Sequence, residues 1–309
     1  MKILAFVTLL CVSSIQVYSS EVDSFLRREI LLSDSKSVIN AKAAHYIQDA
    51  LDRANRKNRG CNEKKLYKSL RKNFKNHVFG KLTPWIIETT EVEKNEGNVR
   101  DSIYSGFRWY EAPIIGLMSK FISDATGHNL KFGEYYVGTD KFEHFLGTGF
   151  KYFKKKYLKN GTTDDVLKIG RRLEYGIMGS VTTGVISYAD MVANFNGMRF
   201  WNHVLSKNED IFGEEFGPYV QCVDNKWVAA KAIDFENYMD HGWDEGINCS
   251  KFRTKRLLKS VQKRLSHYGK KKGLELSCPL DFDKFRSAQD KYGELAKELI
   301  NDEGHQSIK

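Results

Sequence analysis

Apolar residues recur at helical spacing through most of this chain. Ile39, Ala43, Tyr46, Ile47, Ala50, Leu51 and Ala54 form one stripe, with Asp34 or Ser35 placed to cap it, and predict a helix over 34–58. A basic amphipathic stretch follows at 64–77. Pro84 and the charged run from Glu88 to Arg100 predict a surface connection over 82–103, and helical spacing resumes from Ile114 to Ile122. Glycine and asparagine punctuate 123–139, which reads as a loop. Helices are expected to dominate over 140–158 and over 163–205, the second stretch opened by Thr163-Asp164-Asp165. Between Ile211 and Ser250 the pattern shortens, and Phe216–Val220 and Trp227–Ala229 suit short strands or irregular structure. A basic helix over 250–268, a turn at Cys278-Pro279-Leu280 and a last helix over 283–300 complete the reading. Only four prolines occur, which suits an α-rich fold. The fold class expected is mainly α: a single domain, residues 21–309, with a small irregular or β segment.

The first 20 residues stand apart. A lone charge, Lys2, precedes the apolar run Ile3–Val12, and Val17 and Ser19 suit cleavage near Ser19 or Ser20, so this segment reads as a signal peptide. Leu10 stands before Cys11 where a lipoprotein signal wants a small residue. No later run approaches the ~18 apolar residues of a membrane helix, so an exported protein without stable membrane insertion is expected. Four cysteines then remain, Cys61, Cys222, Cys249 and Cys278, and an even number in an oxidising compartment predicts two disulfides. Three pairings are open. Cys222 with Cys249 is favoured, since they bracket one aromatic-rich segment. Their spacing fits no zinc pattern, and neither metal nor another cofactor is expected.

The net charge of +10 falls by one when Lys2 leaves, and much of it sits between Lys251 and Lys272. For an exported protein this points to cell-wall polymers or membrane surfaces and not to nucleic acid, although a solvated helix face explains a charge run equally well.

The densest chemistry lies in Gly138-Thr139-Asp140-Lys141-Phe142-Glu143-His144-Phe145, followed by Gly147. Asp140, Glu143, His144 and Gly147 fall at i, i+3, i+4 and i+7 of a helix and share one face. Glu143 beside aromatic residues suits a general acid whose charged form burial disfavours. Asp140-x-x-Glu143 is equally a capping box. His144 lacks a second histidine at metal-ligand spacing and reads as a hydrogen-bonding group. A second stripe, Gly176, Ser180, Thr183, Ser187, Asp190, Asn194, Gly197 and Trp201, lines one side of the expected long helix. Small hydroxyls with Asp and Asn suit a polar cleft. Close packing explains the glycines but explains Asp190 only if it is paired, for instance with Lys141. Glu174 points away from the stripe on a straight helix and rejoins it if the helix breaks near Gly179 or Gly184. Asp240, Asp244 and Glu245, with Tyr238 and Trp243, suit a sugar-binding lip or a plain surface loop. No GxSxG elbow, Walker loop or dinucleotide fingerprint occurs.

Gly138–Phe145, Gly184-Val-Ile-Ser-Tyr-Ala-Asp-Met-Val-Ala-Asn194, Gly197 with Phe200-Trp201, and Trp243-Asp244-Glu245 with Asn248-Cys249 together resemble the exported deacetylation-specific lysozymes of predatory bacteria, over about residues 100–260. The resemblance implies a lysozyme-like helical domain that cleaves the β-1,4 glycan of peptidoglycan, prefers strands stripped of N-acetyl groups, and uses Glu143 as its acid. The Glu-Ser and Gly-Leu-Met-Gln pattern of lytic transglycosylases is missing, with Gly176-Ile177-Met178 a faint echo. The expected site is therefore catalytic Glu143, Asp190 and Glu174, with Asp140, His144, Ser187, Tyr188 and Asn194 binding substrate in a monomer. The alternatives are a non-catalytic envelope-binding protein and a metal-dependent hydrolase built on Asp140, His144 and Asp190.

Overall fold

The computed structural model describes residues 21–56, 60–116, 127–176 and 179–309. The expected signal peptide and most of the helix expected at 114–122 lie outside the described residues.

The first amphipathic stripe forms α1 (Lys36–Arg56), which buries Ile39, Ala43, Ile47, Ala50, Leu51 and Ala54. Two short helices follow, α2 (Glu63–Leu70), capped by the Asn62 side chain, and α3 (Leu82–Glu88). The stretch at 123–139 expected to be a loop instead carries an antiparallel hairpin, β1 (Asn129–Phe132) with β2 (Tyr135–Gly138). Leu130, Phe132 and Val137 are buried, so the punctuation reflects a tight turn at Gly133, where φ is +59°, between two short core strands.

From β2 the chain enters α4 (Thr139–Glu143), widens into a π-helical turn (His144–Thr148), returns to α5 (Gly149–Phe153) and widens again over Lys154–Leu158. α6 (Thr163–Glu174) has a full capping box between Thr162 and Asp165. The helical stretch expected over 163–205 is interrupted between Glu174 and Tyr188, the break that returns Glu174 to the stripe. Turns occupy the described residues from Tyr175 to Thr183, Gly184 takes φ +79°, and strand β3 (Val185–Ile186) intervenes. α7 (Tyr188–His203) then starts afresh on the Ser187 cap, and every residue of it is buried. α7 packs against α5 and the π turn so closely that a Cβ on Gly197 would lie 2.0 Å from the Phe145 carbonyl oxygen, and one on Gly149 2.6 Å from Gly197 Cα. Tight packing therefore accounts for these two glycines.

The later region holds the hairpin β4 (Val220–Val223) with β5 (Lys226–Ala229), two 3-10 turns at Phe235–Tyr238 and His241–Trp243, and β6 (Lys251–Phe252). The basic helix α8 (Lys255–Lys272), α9 (Phe282–Tyr292), α10 (Ala296–Leu299) and β7 (Gln306–Ser307) end the chain. β6 pairs antiparallel with β3 and parallel with β7. The main apolar core surrounds α7. A second one joins Phe25, Ile103, Tyr104 and Phe107 to Leu257, Val261 and Leu265 of α8. The fold is thus mainly helical with small sheets.

The disulfides are Cys61–Cys222 and Cys249–Cys278, not the favoured Cys222–Cys249. The first ties the segment before α2 to the β4–β5 hairpin across 161 residues, and the second spans 29. Loop-closure entropy makes these worth about 5 and about 4 kcal/mol respectively. Two disulfides fit an oxidising compartment. No described helix is long and apolar enough to cross a membrane.

Candidate functional site

The face shared by Asp140, Glu143, His144 and Gly147 is about 100° wide, and the structure splits it. Asp140 and His144 turn toward α7, whereas Glu143 and Gly147 turn toward residues 75–77. On the inner flank Lys141 is the hub. Its ammonium, 1% exposed, lies 2.7 Å from Asp140 Oδ2, 2.6 Å from Asp190 Oδ1 and 2.6 Å from Glu245 Oε1. Asp190 also pairs through Oδ2 with His144 Nε2 at 3.0 Å, and Asn194 Oδ1 accepts from His144 Nδ1 at 3.2 Å. The Ser187 hydroxyl caps α7 by accepting from Asp190 N and donates to Glu245 Oε1 at 3.1 Å. Tyr104 donates to the other Glu245 oxygen. The break after α6 brings Glu174 back to this group, where its Oε2 accepts a long bond, 3.4 Å, from Ser187 N. Tyr188 is turned aside, its ring under the Lys251 ammonium.

The electrostatics follow from burial. Lys141 and His144 serve five carboxyl groups, those of Glu21, Asp140, Glu174, Asp190 and Glu245. Burial pushes Glu174 up to about 8, with Asp190 adding to it, which favours its neutral form near pH 7. Burial raises Glu245 to about 7 although Lys141 opposes it, and Glu21 also rises by burial. Asp190 responds oppositely: burial would raise it, but His144 and Lys141 hold it well below the usual carboxylate range. Burial would lower His144, yet the Asp190 carboxylate holds it at about 10, so the imidazole is cationic.

Among the described residues, two sets of carboxylate and imidazole ligands come close enough to hold a cation. In the first, Asp140, Asp190 and Glu245 already surround the Lys141 ammonium, which takes the place a metal would occupy. In the second, His144, Glu174 and Asp190 offer ligand atoms within 4.8 Å of one another, and binding there would require His144 to release its proton.

Glu143 stands outside this network. α4 begins after Gly138 without a side-chain cap, so the Asp140–Glu143 capping box does not form. Glu143 Oε2 instead meets His77 Nδ1 at 2.5 Å, with 16% of the side chain exposed. The structure therefore joins Asp140, His144, Ser187, Asp190, Asn194 and Glu174 in one buried cluster and keeps Glu143 on the outer flank.

Three participants carry no sequence signal of these roles: His77 lies in a basic stretch, Glu21 beside the expected cleavage point, and Glu245 in a run that suits a lip or a plain surface loop. Asp240 and Asp244 are also buried and structural, bound to Lys291 and Tyr292 and to Arg28 respectively. A further buried ion pair, Arg199 with Asp210, lies near the opposite end of α7 beside a surface concavity of about 480 Å³ lined by His203, Asp210 and Glu214. The chain matches no family model, no curated protein and no solved structure.

Proposed function

We propose that the chain is an exported glycan hydrolase that cleaves the β-1,4 backbone of peptidoglycan, with Glu143 as the general acid. The observation that carries this reading is the setting of Glu143: a carboxyl group free of any capping role, partly shielded and reachable from solvent. In its protonated form such a group donates to the glycosidic oxygen as the bond to the anomeric carbon breaks and positive charge develops on the sugar ring. His77 Nδ1 bears on the same carboxyl and helps set its orientation.

Under this reading the buried cluster has a supporting role. Asp190 and Glu174, 5% and 3% exposed, lie too deep to touch a sugar as they stand. Asp190, through Lys141 and His144, ties α4 and the π turn, a distortion found often at functional sites, to α7, and so fixes the backbone that carries Glu143. A preference for deacetylated strands belongs to the same reading: a glucosamine amine is smaller than the acetamido group it replaces, so a site shaped to it excludes the acetylated sugar.

A second reading rests on His144, Glu174 and Asp190, whose spacing suits a divalent metal and hence a metal-dependent hydrolase. One experiment separates the two. Purified native and enzymatically deacetylated sacculi are digested with wild type, with wild type plus chelator, and with Glu143→Gln. The acid reading expects the substitution to abolish release and the chelator to do nothing. Loss on chelation with an active Glu143→Gln would favour the metal. No release by wild type from either wall would favour a binding protein.

A further inference from the structure

The basic helix α8 carries eight Lys and Arg residues between Lys255 and Lys272 and no acidic residue. Its apolar row, Leu257, Val261, Leu265 and Gly269, is buried in the second core. A neighbouring flank is covered by residues 101–111, which run alongside the helix in the opposite direction. Arg264 donates to the Asp101 carbonyl at 2.8 Å, Gly106 lies against Ser260, and Glu111 pairs with Arg256 and accepts from Thr254. The arginines on this flank are therefore neutralised by partners.

The open side differs. Lys255, Lys259, Lys263 and Lys271 recur at multiples of four residues with His267 completing the row, and all are exposed. Among the described residues, none of these four ammonium groups meets a carboxylate at ion-pair distance. At 1.5 Å per residue, lysines four apart stand about 6 Å apart along the axis, and the row is about 24 Å long. Like charges at this spacing repel one another, and an ordinary solvated helix relieves the repulsion by mixing signs. This one does not.

An exposed aromatic pair immediately precedes Glu111, which is bound to Arg256 and Thr254 at the start of α8. Trp109 and Tyr110, each 52% exposed, meet edge-on with ring centroids 5.9 Å apart. Arg108 Nη1 donates to the Tyr110 hydroxyl at 2.6 Å, and the adjacent Glu111 is fastened to the first turn of α8. Both rings are thus exposed on an anchored segment, so a ligand that stacks on them orders little that is not already ordered.

We propose that the lysine row of α8 and the Trp109–Tyr110 ledge form a docking surface for a linear anionic glycan. Regularly spaced carboxylates or phosphates meet the lysines, and a sugar ring stacks on the aromatic pair. A membrane surface fits less well, because the apolar side of α8 is already buried and has nothing to insert. This surface is separate from Glu143 and does not depend on the catalytic reading.

The test is binding of fluorescent polygalacturonate to the mature protein, with neutral amylose, inorganic polyphosphate, phosphatidylglycerol vesicles and single-stranded DNA as comparison probes. Wild type is expected to bind polygalacturonate in a salt-sensitive manner and to ignore amylose. Lys259→Gln with Lys263→Gln should weaken polygalacturonate roughly tenfold, while Lys226→Gln with Lys231→Gln, an equal loss of charge on and after β5, should change it little. Trp109→Ala should weaken polygalacturonate and leave polyphosphate unchanged. Equal losses in the two double variants would reduce the effect to net charge and overturn the proposal. Tighter binding to vesicles or to DNA than to polygalacturonate would overturn it as well. All the substituted side chains are at least half exposed or lie on the surface, and unchanged melting curves would verify the fold.

Discussion

Replacing Lys141 by Met removes the cation at the centre of the buried cluster while keeping most of its volume. The ammonium is 1% exposed and touches three carboxylates at 2.6–2.7 Å, so its loss strands negative charge where water cannot reach. Removing one partner of a buried network costs about 3–5 kcal/mol. For a chain of this size that corresponds to a fall in Tm of roughly 5–8 °C. The cost should depend on pH with a definite sign. Without Lys141, the folded-state pKa values of Asp140 and Glu245, already raised by burial, rise further, while His144 still holds Asp190 down. The contribution of Asp140 and Glu245 then favours the fold at low pH and is lost as pH rises through the folded pKa. The gap between wild type and Lys141→Met should therefore be widest near pH 8 and narrow toward pH 5, and adding Glu245→Gln should recover part of it. The assay is thermal unfolding by circular dichroism at half-unit pH steps. A loss below about 1 kcal/mol, or a gap that does not change with pH, would refute the reasoning.

Other outcomes follow from the same geometry. Wild-type stability should fall as pH rises: Glu174 at about 8 and Glu245 at about 7 lose their contribution between the unfolded carboxylate range and those values, and His144 loses its own between about 6.5 and about 10. A Tm that climbs from pH 5.5 to 8.5 would contradict this. Glu174→Gln, a neutral mimic of the protonated acid, should flatten that decline and raise Tm at pH 8 relative to wild type. Unfolding curves that superimpose at pH 8 would count against a buried, protonated Glu174. Peptide mapping of the unreduced protein should recover Cys61 linked to Cys222 and Cys249 linked to Cys278 with no free thiol, and a Cys222–Cys249 peptide would contradict the fold.

The sequence disclosed elements whose periodicity is unambiguous. α1 and α8 bury the rows their spacing implies, because a charged opposite face leaves only one way to orient them. It misled where residues are small and apolar on every side. From Gly176 to Trp201 nothing in the spacing marks where α6 ends, and the break depends on Gly184 reaching positive φ and Ser187 capping anew. The hairpin before α4 was missed because its strands have four residues each, too few for alternation to stand out from turn residues. In the site, pairing of Asp190 with Lys141 was legible as one of two alternatives. That Glu245 completes the ring was not, since an acidic residue beside Trp243 and Gly246 carries the same local signature in a loop as in a core. The split between Glu143 and His144 was likewise hidden: adjacent residues on a helix point about 100° apart, and only tertiary packing decides which one turns inward.

The central claim is that Glu143 supplies the proton for glycan cleavage. Its most direct test is mass analysis of the soluble fragments released from deacetylated sacculi by wild type and by Glu143→Gln, at equal folded protein. The account predicts disaccharide-peptide fragments, each with one water added per bond cut and a new reducing end, from wild type alone, released faster than from native sacculi. The same fragments at the same rate from a folded Glu143→Gln would contradict it.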